Sequence, residues 1–462
     1  MIDYNNLKNK KVLVMGLGLH GGGVSVVNWL LKQKAKVLVT DLKTKKELKP
    51  SLNKINQGEI EYVLGEHREK NFKNADLIIQ NPSVPSDSKC IKLAKKNNVP
   101  MENEASLFFR LCPAPIIGVT GSKGKSTLAH LSYKLIKSHY KDTVIAGNIR
   151  DYLMLDVLPD IKKTTKVILE LSSWHLEGMA HLKKSPHIAL ITNIMPEHLN
   201  RYDSMNDYIK AKNLILKFQN KSDWAILNAD NTYTRRLGQK ACGQLCYFSS
   251  KKIVKHGTTI IDENIYFINR SEKEKVFSIE NLEIKPQHNL EYFLAAGCLG
   301  KILKIPNKKI KKIIKNFKSL PDRLEFIGEK EGIKFYNDTT ATLPQATISA
   351  LKTLGISEKK NIILLAGGAD KKLDYHLMGQ YIDKYCKLSI LFKGEASNKI
   401  ERSVKKIRCL DNIESMKKAL SLALKEADEG DIILLSPGAA SFGLFKHEFD
   451  RGQQFKKVYK KL

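Results

Sequence analysis

The chain has 462 residues, 42% of them hydrophobic, and a formal charge of +30. That length exceeds what one core can organise, so roughly two to four domains are expected. No run of about eighteen apolar residues occurs, which argues against a membrane-spanning helix. Met1-Ile2-Asp3-Tyr4-Asn5-Asn6 lacks the basic and apolar stretches of a secretory signal. Seven scattered cysteines without metal-ligand spacing fit reduced thiols in a cytoplasm. The positive charge is spread along the chain, at 43–49, 308–318 and 456–461, without interleaved aromatics. Stacking platforms are absent, so no nucleic-acid partner is expected.

The first segment runs to about Cys112 and contains strand-like runs at Lys11 to Met15, Lys36 to Thr40 and Leu77 to Gln80. Gly16-Leu17-Gly18-Leu19-His20-Gly21 follows the first run, and Asp41 ends the second, near the spacing of a ribose-binding acid. Alone, this suggests an NAD enzyme. Physically the motif specifies only a tight turn with backbone open to a diphosphate, so any nucleotide diphosphate suits it.

The second segment opens with an apolar run, Pro115 to Val119, then Gly121-Ser122-Lys123-Gly124-Lys125-Ser126-Thr127, then a helical stretch from Leu128 to Ile136. A glycine-rich turn between strand and helix aims N–H groups and a helix N-terminus at one point, which is how phosphate is held. Lys125 would reach the outer phosphates of ATP and Ser126 would ligate Mg²⁺. Val119 stands where the full Walker pattern has glycine, so this is a shorter form of the loop. Further strands are expected at Lys166 to Leu171, His187 to Asn193 and Trp224 to Asn228. Glu170, at a strand's carboxyl end, would hold Mg²⁺ opposite Ser126. His198 follows the next strand, and spacing alone leaves it as open to a structural role as to a functional one.

In the helix Tyr208 to Phe218, the residues Tyr208, Ala211, Leu214, Ile215 and Phe218 form an apolar face, and Lys212 falls on or beside it. Burial favours a neutral amine, which can react with CO₂ to form a carbamate. Periodicity alone favours a lysine that reaches out to water. A third segment starts near Arg323, with strands at Ile333 to Tyr336, Asn361 to Leu365, Leu388 to Phe392 and Asp431 to Leu435. Strand–helix alternation throughout predicts an α/β fold.

Taken together, the segments resemble the Mur ligases of peptidoglycan synthesis over the entire chain. The resemblance is carried by Gly16 to Gly21, Thr120 to Thr127, Gly147-Asn148-Ile149, Glu170 to Glu177, and His198 with Asn200-Arg201-Tyr202. It continues in Tyr208 to Lys212, His288-Asn289, Pro321-Asp322-Arg323, Asn337 to Thr342, Gly367-Gly368 with Lys371, and Ser436 to Phe442. It implies three domains: a Rossmann-like UDP-binding domain at 1–112, a central P-loop domain with a mainly parallel sheet at 113–319, and a Rossmann-like domain at 320–462. The activity implied is ATP-dependent addition of glutamate, D-glutamate being the expected enantiomer, to UDP-N-acetylmuramoyl-L-alanine. A monomer without nucleic-acid partners is implied.

On that resemblance Gly18, Leu19, His20, Asp41, Leu42 and Lys43 serve the UDP, and Asn148 and Ser172 the muramoyl part. Gly121 to Thr127, Asn289, Arg323 and Asp338 serve ATP. Ser126, Glu170, His198 and Lys212, as a carbamate, hold Mg²⁺ at two sites, Mn²⁺ being the alternative metal. Thr342, Lys371 and Ser441 grip the glutamate.

Four positions depart from the family pattern. Thr340 replaces a usual lysine, Lys123 a common asparagine and Arg150 a glycine, while Glu448-Phe449-Asp450 replaces a Phe-Glu-Glu order. Several lie near the amino-acid site, so L-glutamate or another amino acid is the alternative acceptor. A folylpolyglutamate-synthase-like ligase is the competing enzyme, although it would not need the domain containing Gly16. An oxidoreductase would leave everything after that domain idle.

Overall fold

The structure is a computed structural model that describes residues 2–85, 87–149, 152–197, 201–280 and 287–462, with backbone alone for 287–289. The chain forms two compact units, one from Met1–Lys285 and Asn289–Asn316, the other from Pro286–His288 and Phe317–Leu462. Three sheets are distributed over them, two in the first unit and one in the second.

The first sheet contains β1 (Lys11–Met15), β2 (Lys36–Asp41), β3 (Ile60–Leu64), β4 (Leu77–Gln80) and β5 (Met101–Glu102), all parallel, in the order β3-β2-β1-β4-β5. The order reverses at β1, so the turn after Met15 opens at a switch point, where open α/β sheets bind ligands. Val12, Val14 and Leu17 pack with Val24, Val27 and Leu30 of the helix Gly22–Lys32 in one buried core.

The second sheet has nine strands: β6 (Ile116–Thr120), β7 (Thr143–Gly147), β8 (Lys166–Glu170), β9 (Ile188–Ile191), β10 (Trp224–Asn228), β11 (Gln244–Ser249), β12 (His256–Ile261), β13 (Asn264–Asn269) and β14 (Glu272–Ser278). Their order is β14-β13-β12-β11-β10-β9-β6-β8-β7. The strands from β7 to β12 in that order are parallel, and β12, β13 and β14 add an antiparallel extension. All five residues of β6 are buried, as a strand covered on both faces requires. Its register sets Val119 opposite Glu170 of β8 and Thr120 opposite Ile191 of β9. Three neighbouring strands therefore deliver their carboxyl ends to one place.

Gly118 sits in the middle of β6. A Cβ there would lie 2.5 Å from Pro186 Cγ and 3.3 Å from Ile215 Cδ1. The missing side chain is what lets the helix Met205–Lys217 lie close against the strand. Ser204 caps that helix, its hydroxyl accepting from Asp207 N.

The third sheet contains β15 (Glu325–Lys330), β16 (Ile333–Asn337), β17 (Ile362–Gly367), β18 (Cys386–Phe392), β19 (Arg408–Ile413) and β20 (Ile432–Leu435), ordered β15-β16-β20-β17-β18-β19. Only β15 is antiparallel to its neighbour. The carboxyl ends of β16, β20 and β17 are adjacent, which collects Asp338, Ser436 and Gly368 on one edge. The expected strands are all present, with ends shifted by at most two residues.

Candidate active site

The phosphate-type loop follows β6 and runs into the helix Lys125–Lys137. Gly124 is left-handed (φ 79°), and a Cβ on it would run into the Tyr292 ring. The loop is tied down from β9: Ser122 N donates to Asn193 O at 2.9 Å, Lys123 N to Asn193 Oδ1 at 3.0 Å, and Thr192 Oγ1 to Lys123 O at 2.6 Å. Ser122 Oγ lies 3.0 Å from Tyr208 Oη, which donates onward to Glu197 Oε2 at 3.2 Å. Glu197 in turn pairs with Lys123 at 3.7 Å. These anchors were not singled out in the sequence, where Thr192, Asn193, Glu197 and Tyr208 read as strand-end, loop and core positions.

Lys212 is buried, at 1% exposure. Its Nζ donates to Gly121 O at 2.8 Å, and Lys125 Nζ donates to the same oxygen at 3.0 Å. Burial, then the charge of Lys125, pulls the Lys212 amine well below the usual lysine range, with Glu197 and Glu170 acting in the opposite direction. Lys212 therefore sits wholly inside the helix's buried face, with Tyr208, Ala211, Ile215 and Leu216, rather than beside it. The Tyr208 ring centroid is 4.8 Å from its Nζ.

Glu170 ends β8 at 1% exposure. Its Oε1 accepts from Asn148 Nδ2 at 3.3 Å, while Oε2 is buried without a partner among the described residues. A buried carboxylate oxygen left unpaired is costly, and a bound cation is one way to satisfy it. Ser126, in the first turn of the helix after the loop, is buried. His198 and the side chain of Asn289, expected metal and ATP residues, lie outside the described residues, as does Arg150.

The glycine turn after β1 is held by Asp41. Its Oδ2 accepts from Gly18 N at 3.0 Å and its Oδ1 from Lys43 N at 2.9 Å. Gly16 and Gly18 are left-handed, at φ 88° and 61°. Leu19, His20, Leu42 and Lys43 are exposed around the turn. Gly21 faces Leu153, where an added Cβ would be 3.3 Å from Leu153 Cδ1. Asn148 is exposed, and Ser172 caps the helix Ser173–Met179 by accepting from His175 N.

In the second unit Asp338 Oδ1 accepts from Leu324 N at 3.0 Å and Oδ2 from Ser436 Oγ at 2.8 Å. Arg323 directly precedes Leu324 in the same turn. Lys371 Nζ lies 3.5 Å from Thr342 Oγ1, at the outer limit of a hydrogen bond. Ala369 and Ala440 bridge through their backbones, bringing the approach to Lys371 beside the buried Ser441. Thr340, where the family has lysine, donates to Asp322 O at 2.9 Å.

Three domain families match the chain in order: Mur ligase MurD-like, N-terminal domain at residues 10–102, Mur ligase middle domain at 119–300, and Mur ligase, glutamate ligase domain at 322–438. The chain belongs to the Mur ligase family. It is 37% identical to the UDP-N-acetylmuramoylalanine–D-glutamate ligase of Roseiflexus sp., covering 98% of each chain. It is 35% identical to the enzyme of that name from Borreliella burgdorferi, covering 99% of each. Among solved structures, UDP-N-acetylmuramate-alanine ligase from Thermotoga maritima superposes with a TM-score of 0.63 at 18% identity, over 98% of this chain and 100% of that one. MurF ligase from Thermotoga maritima in complex with ADP superposes with a TM-score of 0.60 at 17% identity, over 100% and 97%. The three-sheet α/β architecture is that of the family.

Proposed function

We propose that the chain is an ATP-dependent amide ligase that joins D-glutamate to UDP-N-acetylmuramoyl-L-alanine, acting as a cytoplasmic monomer with domains at 1–112, 113–319 and 320–462. Relatives carrying that activity in their names match over the whole chain. All seven cysteines are free, in keeping with a reducing compartment. The observation that carries the reading is the pair formed by the buried, depressed amine of Lys212 and the Oε2 of Glu170, buried without a partner among the described residues.

A neutral Lys212 amine can attack CO₂, forming an N–C bond and releasing one proton, to give a carbamate. Ser126, Glu170, His198 and that carbamate would hold Mg²⁺. Bound there, Mg²⁺ would screen ATP's phosphates from the anion that approaches them. Everything else is done by the chain's own residues. The turn at Gly18, fixed by Asp41, would take the UDP diphosphate, with Leu19, His20, Leu42 and Lys43 around the nucleotide and Asn148 and Ser172 toward the muramoyl group. The N–H groups of Gly121 to Thr127 would cradle ATP; Asn289, Arg323 and Asp338 are the further ATP residues that the family resemblance implies. Lys125 would exchange Gly121 O for the outer phosphates, a charge placed where the transferring phosphoryl group needs it.

The alanyl carboxylate attacks the γ-phosphorus, ADP departs, and an acyl phosphate remains. Thr342, Lys371 and Ser441 would hold glutamate by its carboxylates while its amine attacks the acyl carbon. Phosphate leaves, the nitrogen loses a proton, and an amide is formed.

The test is phosphate release with ATP, Mg²⁺ and UDP-N-acetylmuramoyl-L-alanine, comparing D-glutamate, L-glutamate and no amino acid. Release should require the UDP substrate and D-glutamate together. Release indifferent to both would overturn the assignment, and release with L-glutamate alone would overturn the stereochemistry.

A further inference from the structure

Arg451, on the helix Glu448–Tyr459, is fully buried, at 0% exposure. Its Nε donates to Thr339 Oγ1 at 3.1 Å and its Nη2 to Thr339 O at 2.9 Å. Nη1 and Nη2 reach Ala439 O at 3.5 and 3.4 Å. These acceptors are all neutral. Among the described residues no carboxylate pairs with this guanidinium, and Glu448 and Asp338 act on it only through space. Burial draws it down to about 10, which leaves it charged at neutral pH. A buried cation normally comes with a counter-ion, because desolvating it alone is expensive.

Its position says where that counter-ion belongs. Thr339 opens the run Thr339-Thr340-Ala341-Thr342, and Ala439 precedes Ala440-Ser441. Gly438 N donates to Ala341 O at 2.8 Å, stitching the two loops together. The Ala369–Ala440 bridge adds the strand end that leads to Lys371. Thr342, Lys371 and Ser441 thus all spring from backbone that Arg451 gathers. A neutral side chain could staple two carbonyls without stranding a charge, so the charge itself calls for an explanation.

We infer that Arg451 is a positioning residue for the incoming amino acid: its buried charge, paired with no carboxylate among the described residues and met only through space by Glu448 and Asp338, is balanced further by the carboxylates of a dicarboxylic acceptor held on the Thr339–Thr342 and Ala439–Ser441 loops. It does not touch the substrate. It acts through the carbonyls it anchors and through a field that falls off slowly in a dry interior. This rests on the glutamate-ligase reading above and adds to it the origin of the preference for a doubly anionic acceptor over a neutral-side-chain one such as glutamine.

The experiment is steady-state kinetics of the full chain, varying each substrate in turn, with far-UV circular dichroism as the folding check. Arg451→Gln should raise the KM for glutamate about tenfold or more, move the KM values of ATP and the UDP substrate less than about twofold, and narrow the preference for glutamate over glutamine. Arg451→Lys, which keeps the charge, should restore most of that loss. Equal shifts in all three KM values, or a fall in kcat and melting temperature alone, would make Arg451 a staple and overturn the inference. Should Arg451→Gln fail to fold, Glu448→Gln decides. It removes a carboxylate that acts on Arg451 only through space and leaves every hydrogen bond of Arg451 in place, so the glutamate KM should fall about twofold with that of ATP unchanged; no change overturns the inference. Wild-type protein that makes no glutamyl product would overturn the ligase reading itself, whereas an active wild type with an unaltered Arg451→Gln glutamate KM overturns only this proposal.

Discussion

Lys125 and Lys212 donate to one carbonyl oxygen, that of Gly121, at 3.0 and 2.8 Å. Two ammonium groups would not share an acceptor so closely without strong mutual repulsion. Burial first, and this repulsion second, hold Lys212 toward its neutral form. Lys212→Ala should therefore lower turnover by roughly 10²–10³-fold, the scale of losing one preorganised charge-stabilising group. Added formate or acetate should restore part of it by standing in for the proposed carbamate. Phosphate release measures both. Full activity in the variant would reduce Lys212 to a packing residue.

Lys212→Met carries a separate expectation for stability. The methionine fills similar volume without a polar head to desolvate, and such exchanges in cores are often neutral or stabilising. The urea midpoint should stay equal or rise while activity is lost. A fall of more than about 2 kcal/mol would mean that the Gly121 hydrogen bond outweighs the cost of burying the amine.

Gly118→Val should separate the helix Met205–Lys217 from β6, because the new side chain would occupy the space of Pro186 and Ile215. Overpacking of this kind costs about 1–3 kcal/mol. Turnover should fall more steeply than stability suggests, since displacing a catalytic group by about 1 Å can cost 10²-fold. Parallel urea titration and phosphate-release assays would reveal the imbalance. Unchanged turnover would detach Lys212 from the chemistry.

Asp41→Ala leaves the N–H groups of Gly18 and Lys43 without their acceptor. We expect about tenfold weaker KM for the UDP substrate, with the KM for ATP unchanged, and a stability loss of about 1–3 kcal/mol. An effect on ATP instead would assign the glycine turn to the other nucleotide.

Glu104 sets a pH dependence. Burial pushes its carboxyl up to about 7, with Met154 and Leu155 N–H groups opposing and Asp156 reinforcing. Its ordinary value is 4.5. Between these two values the folded state holds a proton that the unfolded chain has released, so its stabilising contribution is complete below pH 4.5 and drains away as pH rises to 7. Glu104→Gln keeps an acceptor for Met154 N and removes the titration. It should match the wild type near pH 4.5 and exceed it by about 1–3 kcal/mol at pH 8. Urea midpoints taken across that range test the sign, and a variant weaker than wild type at pH 8 would contradict it. Glu291, also raised to about 7, acts in the same direction and leaves a residual slope in both proteins.

What could be read from the residues alone follows how local the determinants are. The buried parallel strands were legible because runs such as Ile116 to Val119 are apolar without interruption, and the two glycine turns because glycine is required where they bend. The extension β12–β14 was not. Its first hairpin turns at Asp262-Glu263, both left-handed (φ 45° and 55°) without a glycine to announce it. Its last strand begins Glu272-Lys273-Glu274-Lys275, which carries no apolar alternation. Lys212 was ambiguous because its burial depends on the notch at Gly118 and on a carbonyl 91 positions away. Arg451 passes for a solvated arginine on a charged helix, since the oxygens that hold it lie 112 and 12 positions back.

Described residues on either side of the turn after β7 touch the end of β8 at one side and the first glycine turn at the other. Gly147, the last residue of β7, packs on the Glu170 backbone, where no Cβ would fit, and Asn148 touches the Glu170 carboxylate. On the other side, Leu153 closes against Gly21 of the first glycine turn. The Glu170 strand end and the first glycine turn therefore lean on residues close together in the chain. A ligand on the Glu170 carboxylate and one on the Gly21 turn would thus each press on an end of the same short stretch of chain.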